Sequence, residues 1–168
     1  MEKEKTKLED VLRQTNENDT AKEILRIVDL ASVFLCVYAL FYLEIHLIQK
    51  DAWLALRAAL ILAIPFALVS LVRYLIKAPR PIELFDFYGE DVKKRGSGSF
   101  PSRHAFSAFA IGVLVLFFHF TLGLITVVLA ALMSASRVLL GKHFPRDVIA
   151  GALMGIISSL LGYFIFIM

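Results

Sequence analysis

Blocks of apolar residues, each about as long as a membrane is thick, constrain this chain more than any other feature. They run over residues 27–48, 52–76, 105–135 and 148–168. About 20 consecutive apolar residues suffice for a helix to cross a bilayer core of roughly 30 Å. Soluble domains interrupt their apolar residues more often. The 168-residue chain, 58% hydrophobic, therefore predicts an all-α polytopic membrane helix bundle that forms one domain.

The third block is too long for a single span. As one helix, residues 105–135 would extend about 45 Å, beyond the roughly 30 Å of a bilayer core. His119, Thr121 and Gly123 interrupt its middle and favour a hairpin that turns there. The prediction is thus about five transmembrane helices. A hairpin also returns Arg137 to the membrane face of His104, whereas a straight helix would separate them by about 50 Å.

Most of the charge lies outside these blocks. Residues 1–22 form a highly charged N-terminal segment, and two interpretations stay open: an amphipathic interfacial helix that includes Leu12, and a solvated tail. The spacing of a capping box predicts that the first spanning helix begins near Ala21. Asp29 is close to the end of that span, where we expect its side chain to reach the interface.

Residues 77–103 form the one long polar connection, which we expect to lie on the functional face. Pro79 and Pro81 end the second span, and Pro81 suits the start of a short new helix. Residues 96–99 read as a flexible Gly-Ser turn. The basic cluster before it is either solvated or in contact with lipid headgroups, and consists of Lys93, Lys94 and Arg95.

The last block carries small residues at helical spacing. Gly151 and Gly155 form a G-x-x-x-G pair, which Ser158 and Gly162 continue. This pattern is typical of close packing between membrane helices rather than of catalysis.

Several classes of function are disfavoured. There is no arginine-rich arm and no surface of interleaved basic and aromatic residues, so nucleic acid is not an expected partner. The single cysteine, Cys36, cannot form an internal disulfide. No cluster of carboxylates or thiolates indicates a metal site, and no cofactor is expected.

Ionisable residues gather at three junctions that the five-span topology places on one face. Pro101 and Pro145 suit the first position of a helix, so two of these junctions are expected to be helix starts. Helix starts and arginines both favour anions, and guanidinium groups suit the oxygens of a phosphate. The site is therefore predicted to bind phosphate. The three clusters are Arg73 with Arg80; Pro101, Ser102, Arg103 and His104; and Arg137, His143 and Asp147.

Two histidines supply the remaining chemistry. A neutral His143 can attack phosphorus, and a protonated His104 can donate its proton to the leaving oxygen. Asp147 follows His143 by four residues, near enough to accept the other imidazole N–H, fix the tautomer and stabilise the cation that forms. Arg137 is the expected phosphate clamp of this segment.

Three motifs occur in order. They read R-x6-R-P from Arg73, P-S-R-H from Pro101 and S-R-x5-H-x3-D from Ser136. Their order and spacing resemble the signature of the type 2 phosphatidic acid phosphatase family, which also includes vanadium haloperoxidases. The chain departs from that signature in having Arg73 in place of a lysine and Arg103 in place of a glycine.

The resemblance implies a phosphatase that works without metal through a phosphohistidine intermediate. His143 would be the nucleophile, Asp147 its orienting residue, and His104 the general acid and later the base that activates water. The implied phosphate ligands are Arg73, Arg80, Ser102 and Arg137, and the candidate headgroup contacts are Lys77, Lys93, Lys94, Arg95 and Arg103.

The expected substrate is a lipid phosphate that reaches the site sideways from the bilayer. The basic loop and Arg103 suit a large polyanionic headgroup, which favours lipid A 1-phosphate or undecaprenyl pyrophosphate. Phosphatidic acid and phosphatidylglycerophosphate remain alternative substrates. A lipid phosphotransferase and a non-enzymatic phosphate-lipid binder or transporter remain alternative functions.

Two indications of how the protein is oriented in the membrane disagree. The distribution of lysine and arginine places the site in the cytoplasm, although the basic residues of the site themselves bias that count. Bacterial proteins that the chain resembles face outward. We expect an integral protein of the bacterial inner (plasma) membrane with a periplasmic site, and the oligomeric state stays open.

Overall fold

Helices account for almost all of the described chain. The computed structural model describes residues 2–85, 87 and 98–168, and none of these is in a strand. Four helices in these ranges are long and apolar enough to cross a membrane, and the helix Arg103–Phe118 is apolar but shorter. The predicted all-α membrane bundle is thus confirmed. The helices are α1 Glu2–Glu17, α2 Asp19–Lys50, α3 Ala52–Ile76, α4 Pro81–Leu84, α5 Arg103–Phe118, α6 Phe120–Leu139 and α7 Pro145–Phe166.

The long third block is a helical hairpin, as predicted. Helix α5 ends at Phe118 and α6 begins at Phe120, with His119 alone between them. Gly123 allows the two legs to touch, because a Cβ there would lie 2.4 Å from the backbone nitrogen of Leu116. The two legs therefore run antiparallel, and the start of α5 returns to the end of α6.

Helices α5 and α7 run parallel and touch through small residues. At two glycines of α7, a Cβ would lie 2.4 Å from a carbonyl oxygen of α5. One turn further along α7, the hydroxyl of Ser159 donates to the carbonyl oxygen of Ala110 at 2.8 Å, and these two residues are 49 positions apart in the sequence. All three pairs share that offset, which fixes the register of the two helices. The pairs are Gly151 with Ser102, Gly155 with Phe106, and Ser159 with Ala110.

The predicted small-residue face is therefore correct except at one position. Ser159, not Ser158, bonds to α5. Ser158 donates instead to the carbonyl of Gly155 within its own helix at 3.0 Å.

The charged N-terminal segment is helical rather than a solvated tail. Leu12 of α1 is fully buried, and Asn16 Nδ2 donates to the carbonyl oxygen of Phe87 at 3.4 Å. Helix α2 begins earlier than the predicted start near Ala21, because the side chain of Asn18 is the cap and accepts the Ala21 N–H at 3.0 Å. The short helix predicted at Pro81 is present as α4.

The contact between α5 and α7 can be tested at Gly155. We expect Gly155→Ala to lower the free energy of unfolding by about 1–3 kcal/mol, since an added methyl group overpacks a close contact. Thermal unfolding of the detergent-solubilised protein measures this as a lower Tm. The matched control is Ile149→Ala on the exposed face of α7, which should leave Tm almost unchanged. An unaltered Tm for Gly155→Ala would contradict the packing described.

Candidate active site

His143 and Asp147 lie at the junction of α6 and α7. Both side chains are buried, with 3% and 0% of their surface exposed. Pro145 occupies the start of α7, as predicted, so Asp147 falls in the first helical turn. There its Oδ2 accepts the backbone N–H of Phe144 at 2.9 Å. The carboxylate is therefore fixed by the start of the helix that carries it.

Ser99 joins the histidine to the aspartate. Its Oγ donates to Asp147 Oδ2 at 2.5 Å and lies 3.3 Å from Nδ1 of His143. His143 Nδ1 and Asp147 Oδ2 are themselves 3.8 Å apart, so the direct hydrogen bond expected from their spacing is instead a bridge through Ser99. The one hydroxyl proton goes to the carboxylate, and the serine oxygen accepts from Nδ1–H. Nε2 of His143 is then left with a free lone pair.

The sequence offered no signal for this role of Ser99. It belongs to a G-S-G-S stretch in which Ser97 and Ser99 look alike, and we had predicted a flexible turn there. In the structure Ser99 is fully buried. Only the fold distinguishes it from its neighbour.

The surroundings of His143 favour the neutral imidazole. Burial lowers the pKa of His143 below its ordinary value of 6.5, and the positive charges of Arg73 and Arg137 act in the same direction. Asp147 opposes this lowering but does not cancel it. At neutral pH the ring is therefore uncharged, as a nucleophile requires.

Arg73 fastens the segment that carries Ser99 to the end of α3. Its Nη1 donates to the carbonyl oxygens of Ser99 at 3.3 Å and Pro101 at 3.2 Å. Gly98 permits this approach, because a Cβ there would lie 3.0 Å from the Cα of Lys77. Residues 98–101 are thus packed against α3, and Arg73, predicted as a phosphate ligand, also positions the backbone of the site.

Ser102 and His104 lie at the start of α5. Ser102 is the cap, accepting the Ala105 N–H on its hydroxyl at 3.4 Å, so the prediction that Pro101 occupies the first helical position is wrong. The backbone N–H of Ser102 donates to the carbonyl of Asp147 at 3.0 Å. His104 follows Ser102 by two residues and is exposed. The hairpin therefore brings the two histidines to one site.

Arg137 is paired with an acid from α2. Its Nε lies 2.8 Å from Oδ1 of Asp29, and Nζ of Lys142 lies 2.7 Å from the other carboxylate oxygen. Asp29 is only 6% exposed, so the expectation that it reaches the interface is wrong. The missed signal was an ionisable residue inside an apolar block, which is by default a functional candidate.

A polar cavity of about 530 Å³ opens beside Arg73. It includes two of the predicted headgroup residues, Lys77 and Arg103, while residues 93–95 lie outside the described part of the chain. Arg80 is half-buried at the start of α4, and its charge acts on Arg73 and Arg137. The lining residues are Ser70, Arg73, Tyr74, Lys77, Ala78, Glu83, Gly98 and Arg103.

An apolar groove of about 600 Å³ runs between α3 and α7. At one end Arg57 donates to the carbonyl of Phe166 at 3.3 Å. Val69 and Phe106 line its other end. Val69 is next to Ser70 in the sequence, and Phe106 follows Arg103 by three residues. Ser70 and Arg103 both line the polar cavity. The apolar groove and the polar cavity are thus adjacent.

This arrangement is suited to bind and attack a phosphate. The described residues include no group of three His, Cys, Asp or Glu side chains placed to hold a metal ion. Arg73, Arg103 and Arg137 each place positive charge near one or both histidines. Arginines in a partly buried site stabilise the negative charge of a phosphoryl group strongly.

The fold and the site together define a membrane protein with a histidine- and arginine-based phosphate site. Residues 53–167 match the PAP2 superfamily, and the chain belongs to that superfamily, the type 2 phosphatidic acid phosphatases. It is an enzyme of the hydrolase class that acts on phosphoric ester bonds of lipids.

Individual relatives agree with this assignment. The chain is 29% identical over 150 residues to the bacitracin transport permease protein BcrC of Bacillus licheniformis, covering 85% of this chain and 73% of that protein. It is 41% identical over 75 residues to the lipid A 4'-phosphatase of Bacteroides thetaiotaomicron, covering 43% and 33%. Its fold matches the crystal structure of a transmembrane PAP2-type phosphatidylglycerolphosphate phosphatase from Bacillus subtilis with a TM-score of 0.68 and 21% identity, covering 96% and 85%.

The bridge through Ser99 can be tested by Ser99→Ala. We expect kcat to fall about 10- to 100-fold, since His143 loses the group that fixes its tautomer. The pKa of His143 should fall further, because Asp147 then stabilises the imidazolium less. The acid limb of the profile of kcat/KM against pH should accordingly move to lower pH. The control is Ser107→Ala on α5, outside this network. A wild-type kcat and pH profile in Ser99→Ala would refute the bridge.

Proposed function

We propose that the chain is a metal-independent lipid phosphatase that forms a phosphohistidine on His143. The observation that carries this proposal is the bridge from His143 through Ser99 to Asp147. It orients a buried, neutral imidazole with Nε2 free, within the electrostatic field of Arg73 and Arg137. A ring nitrogen so held has the geometry of an activated nucleophile.

The reaction proceeds in two steps. In the first, Nε2 of His143 attacks phosphorus, the bond from phosphorus to the lipid oxygen breaks, and His104 donates its proton to that oxygen. In the second, a water molecule attacks phosphorus and gives a proton to His104, the bond to His143 breaks, and phosphate leaves. Asp147 stabilises the imidazolium through Ser99 in both steps.

The arginines neutralise the charge of the phosphoryl group during these steps. Arg73, Arg80 and Arg137, with Ser102 at the start of α5, are the proposed phosphate ligands. They supply the fixed positive charge that a magnesium ion supplies in other phosphoryl transfer enzymes.

The proposed substrate is a lipid with a large, polyanionic headgroup. The apolar groove between α3 and α7 suits a hydrocarbon tail, and Lys77 and Arg103 in the adjoining cavity suit an anionic group beyond the scissile phosphate. Lipid A 1-phosphate and undecaprenyl pyrophosphate both fit this description. The similarity to a lipid A 4'-phosphatase supports the same substrate class, although that relative is named for the other phosphate.

Two alternative functions differ from this proposal in the experimental outcome that each would give. A lipid phosphotransferase would use the same intermediate with an alcohol in place of water, and incorporation of labelled water oxygen into released phosphate separates the two. A binder or transporter would agree with the name of the relative BcrC, a transport permease protein. Such a protein has no need of the His143 network, and His143→Ala would leave its lipid binding or transport intact.

Phosphate release from a panel of lipids tests the proposal most directly. The purified protein should release phosphate from lipid A or undecaprenyl pyrophosphate faster than from phosphatidic acid or phosphatidylglycerophosphate. Activity should survive EDTA, and His143→Ala should lower it at least 1000-fold, as loss of a covalent nucleophile does in other enzymes. His46 lies outside the site and stacks on Tyr42 with the ring centroids 6.2 Å apart, so His46→Ala is the control. Full release by His143→Ala, or strict dependence on added Mg²⁺, would contradict the mechanism.

We further propose that the protein lies in the bacterial inner membrane with its site in the periplasm. The support is the outward orientation of the bacterial proteins that it resembles. A cysteine at Ser97 in a Cys36→Ala background should react with a membrane-impermeant maleimide in intact spheroplasts. Labelling only after the membrane is broken would place the site in the cytoplasm instead.

A further inference from the structure

Asp29 is a buried acid that the proposed mechanism does not use. It lies in α2, outside residues 53–167 that match the PAP2 superfamily, yet it contacts two cations that closely precede the proposed nucleophile in sequence. We propose that Asp29 is a positioning residue, which sets the guanidinium of Arg137 and the turn that carries His143. This inference rests on the proposed function.

The geometry gives each oxygen of Asp29 its own cation. Oδ1 lies 2.8 Å from Nε of Arg137, and Oδ2 lies 2.7 Å from Nζ of Lys142. Within the described residues, the Arg137 side chain makes no other ion pair, and its Nε has no hydrogen-bond partner of good geometry. Asp29 thus holds the Nε side of the guanidinium as an ion pair and leaves the two terminal nitrogens of Arg137 for a phosphate, which binds best to a guanidinium in a fixed orientation.

The second contact acts on the turn. Lys142 precedes His143, and its backbone N–H donates to the carbonyl of Arg137 at 3.0 Å. The carboxylate therefore ties both ends of residues 137–142 to α2. A turn held at both ends presents the next residue, His143, in one position.

The alternative is that Asp29 merely fastens α2 to α6. Apolar contacts already do this, since Cys36 of α2 packs in one buried cluster with Ala130 and Met133 of α6. A buried ion pair adds little to stability beyond what apolar residues of similar size provide, because desolvation offsets the attraction. Fastening alone therefore does not explain an acid shared by two cations beside the nucleophile.

A double-mutant cycle separates these two roles. Asp29→Asn keeps the size of the side chain, and we expect kcat/KM to fall about 10- to 100-fold, the scale of a misplaced catalytic group. If Asp29 acts through its two cations, Asp29→Asn should cost less in an Arg137→Ala background than in the wild type. Added to a variant that carries both Arg137→Ala and Lys142→Ala, it should lower kcat/KM by no more than about threefold further. Effects that multiply in that second background, or a wild-type kcat/KM for Asp29→Asn, would overturn the proposal.

Further variants keep the test decisive. Asp19→Asn removes an exposed acid of the same helix that pairs with Lys22 at 3.4 Å, and should leave kcat/KM unchanged. Should Asp29→Asn fail to fold, Asp29→Glu retains the carboxylate, and the same cycle with Arg137→Ala then applies. Activity of Asp29→Glu no better than that of Arg137→Ala would count against positioning by the carboxylate.

A binding measurement distinguishes this inference from the proposed function. The affinity for orthovanadate, measured by calorimetry on the full-length protein in detergent, needs no turnover. The same non-additivity between Asp29 and Arg137 should appear in the Kd for orthovanadate. A wild-type protein that releases no phosphate yet shows this cycle would refute the proposed function while supporting the positioning role. Independent effects on Kd would refute the positioning role.

Discussion

The parallel contact of α5 and α7 is the constraint on which the site depends. Their register is fixed by carbonyl oxygens of one helix seated on small residues of the other. At the end of that row, the backbone of Ser102 bonds to the backbone of Asp147, and two helix N-termini lie side by side. The positive ends of both helix dipoles then face the same small volume. An anion is favoured there before any arginine contributes.

Several side chains of the proposed site are held by partners from elsewhere in the chain. Arg73 carries the loop that supplies Ser99, Ser99 connects His143 to Asp147, and Asp29 binds Arg137. Within the low-dielectric interior of a membrane protein, such buried polar groups are strongly destabilising unless paired. The pairs that satisfy these groups also fix their positions, so the requirements of burial and of catalysis coincide.

Sequence patterns predicted the parts of this structure that depend on local chemistry. The spans, the break at His119 and the glycine face follow from hydropathy and spacing, and the motif residues His104 and His143 follow from residue type. The patterns failed where a role depends on a distant partner. Asp29 lies 113 residues from Lys142 and Ser99 lies 48 from Asp147, and neither pairing leaves a local signature. The roles of the arginines and histidines in phosphoryl transfer remain proposals.

The one-residue turn of the hairpin has a consequence for the depth of the site. It limits α5 to 16 residues, about 24 Å of helix, whereas the hydrocarbon core of a bilayer is about 30 Å thick. Most of α5 is buried among the other helices, so protein rather than lipid surrounds it. A helix this short cannot reach both surfaces of the core, so the end at His104, the end at the hairpin turn, or both lie within the depth of the hydrocarbon. Polar groups at that depth need a recess that protein lines.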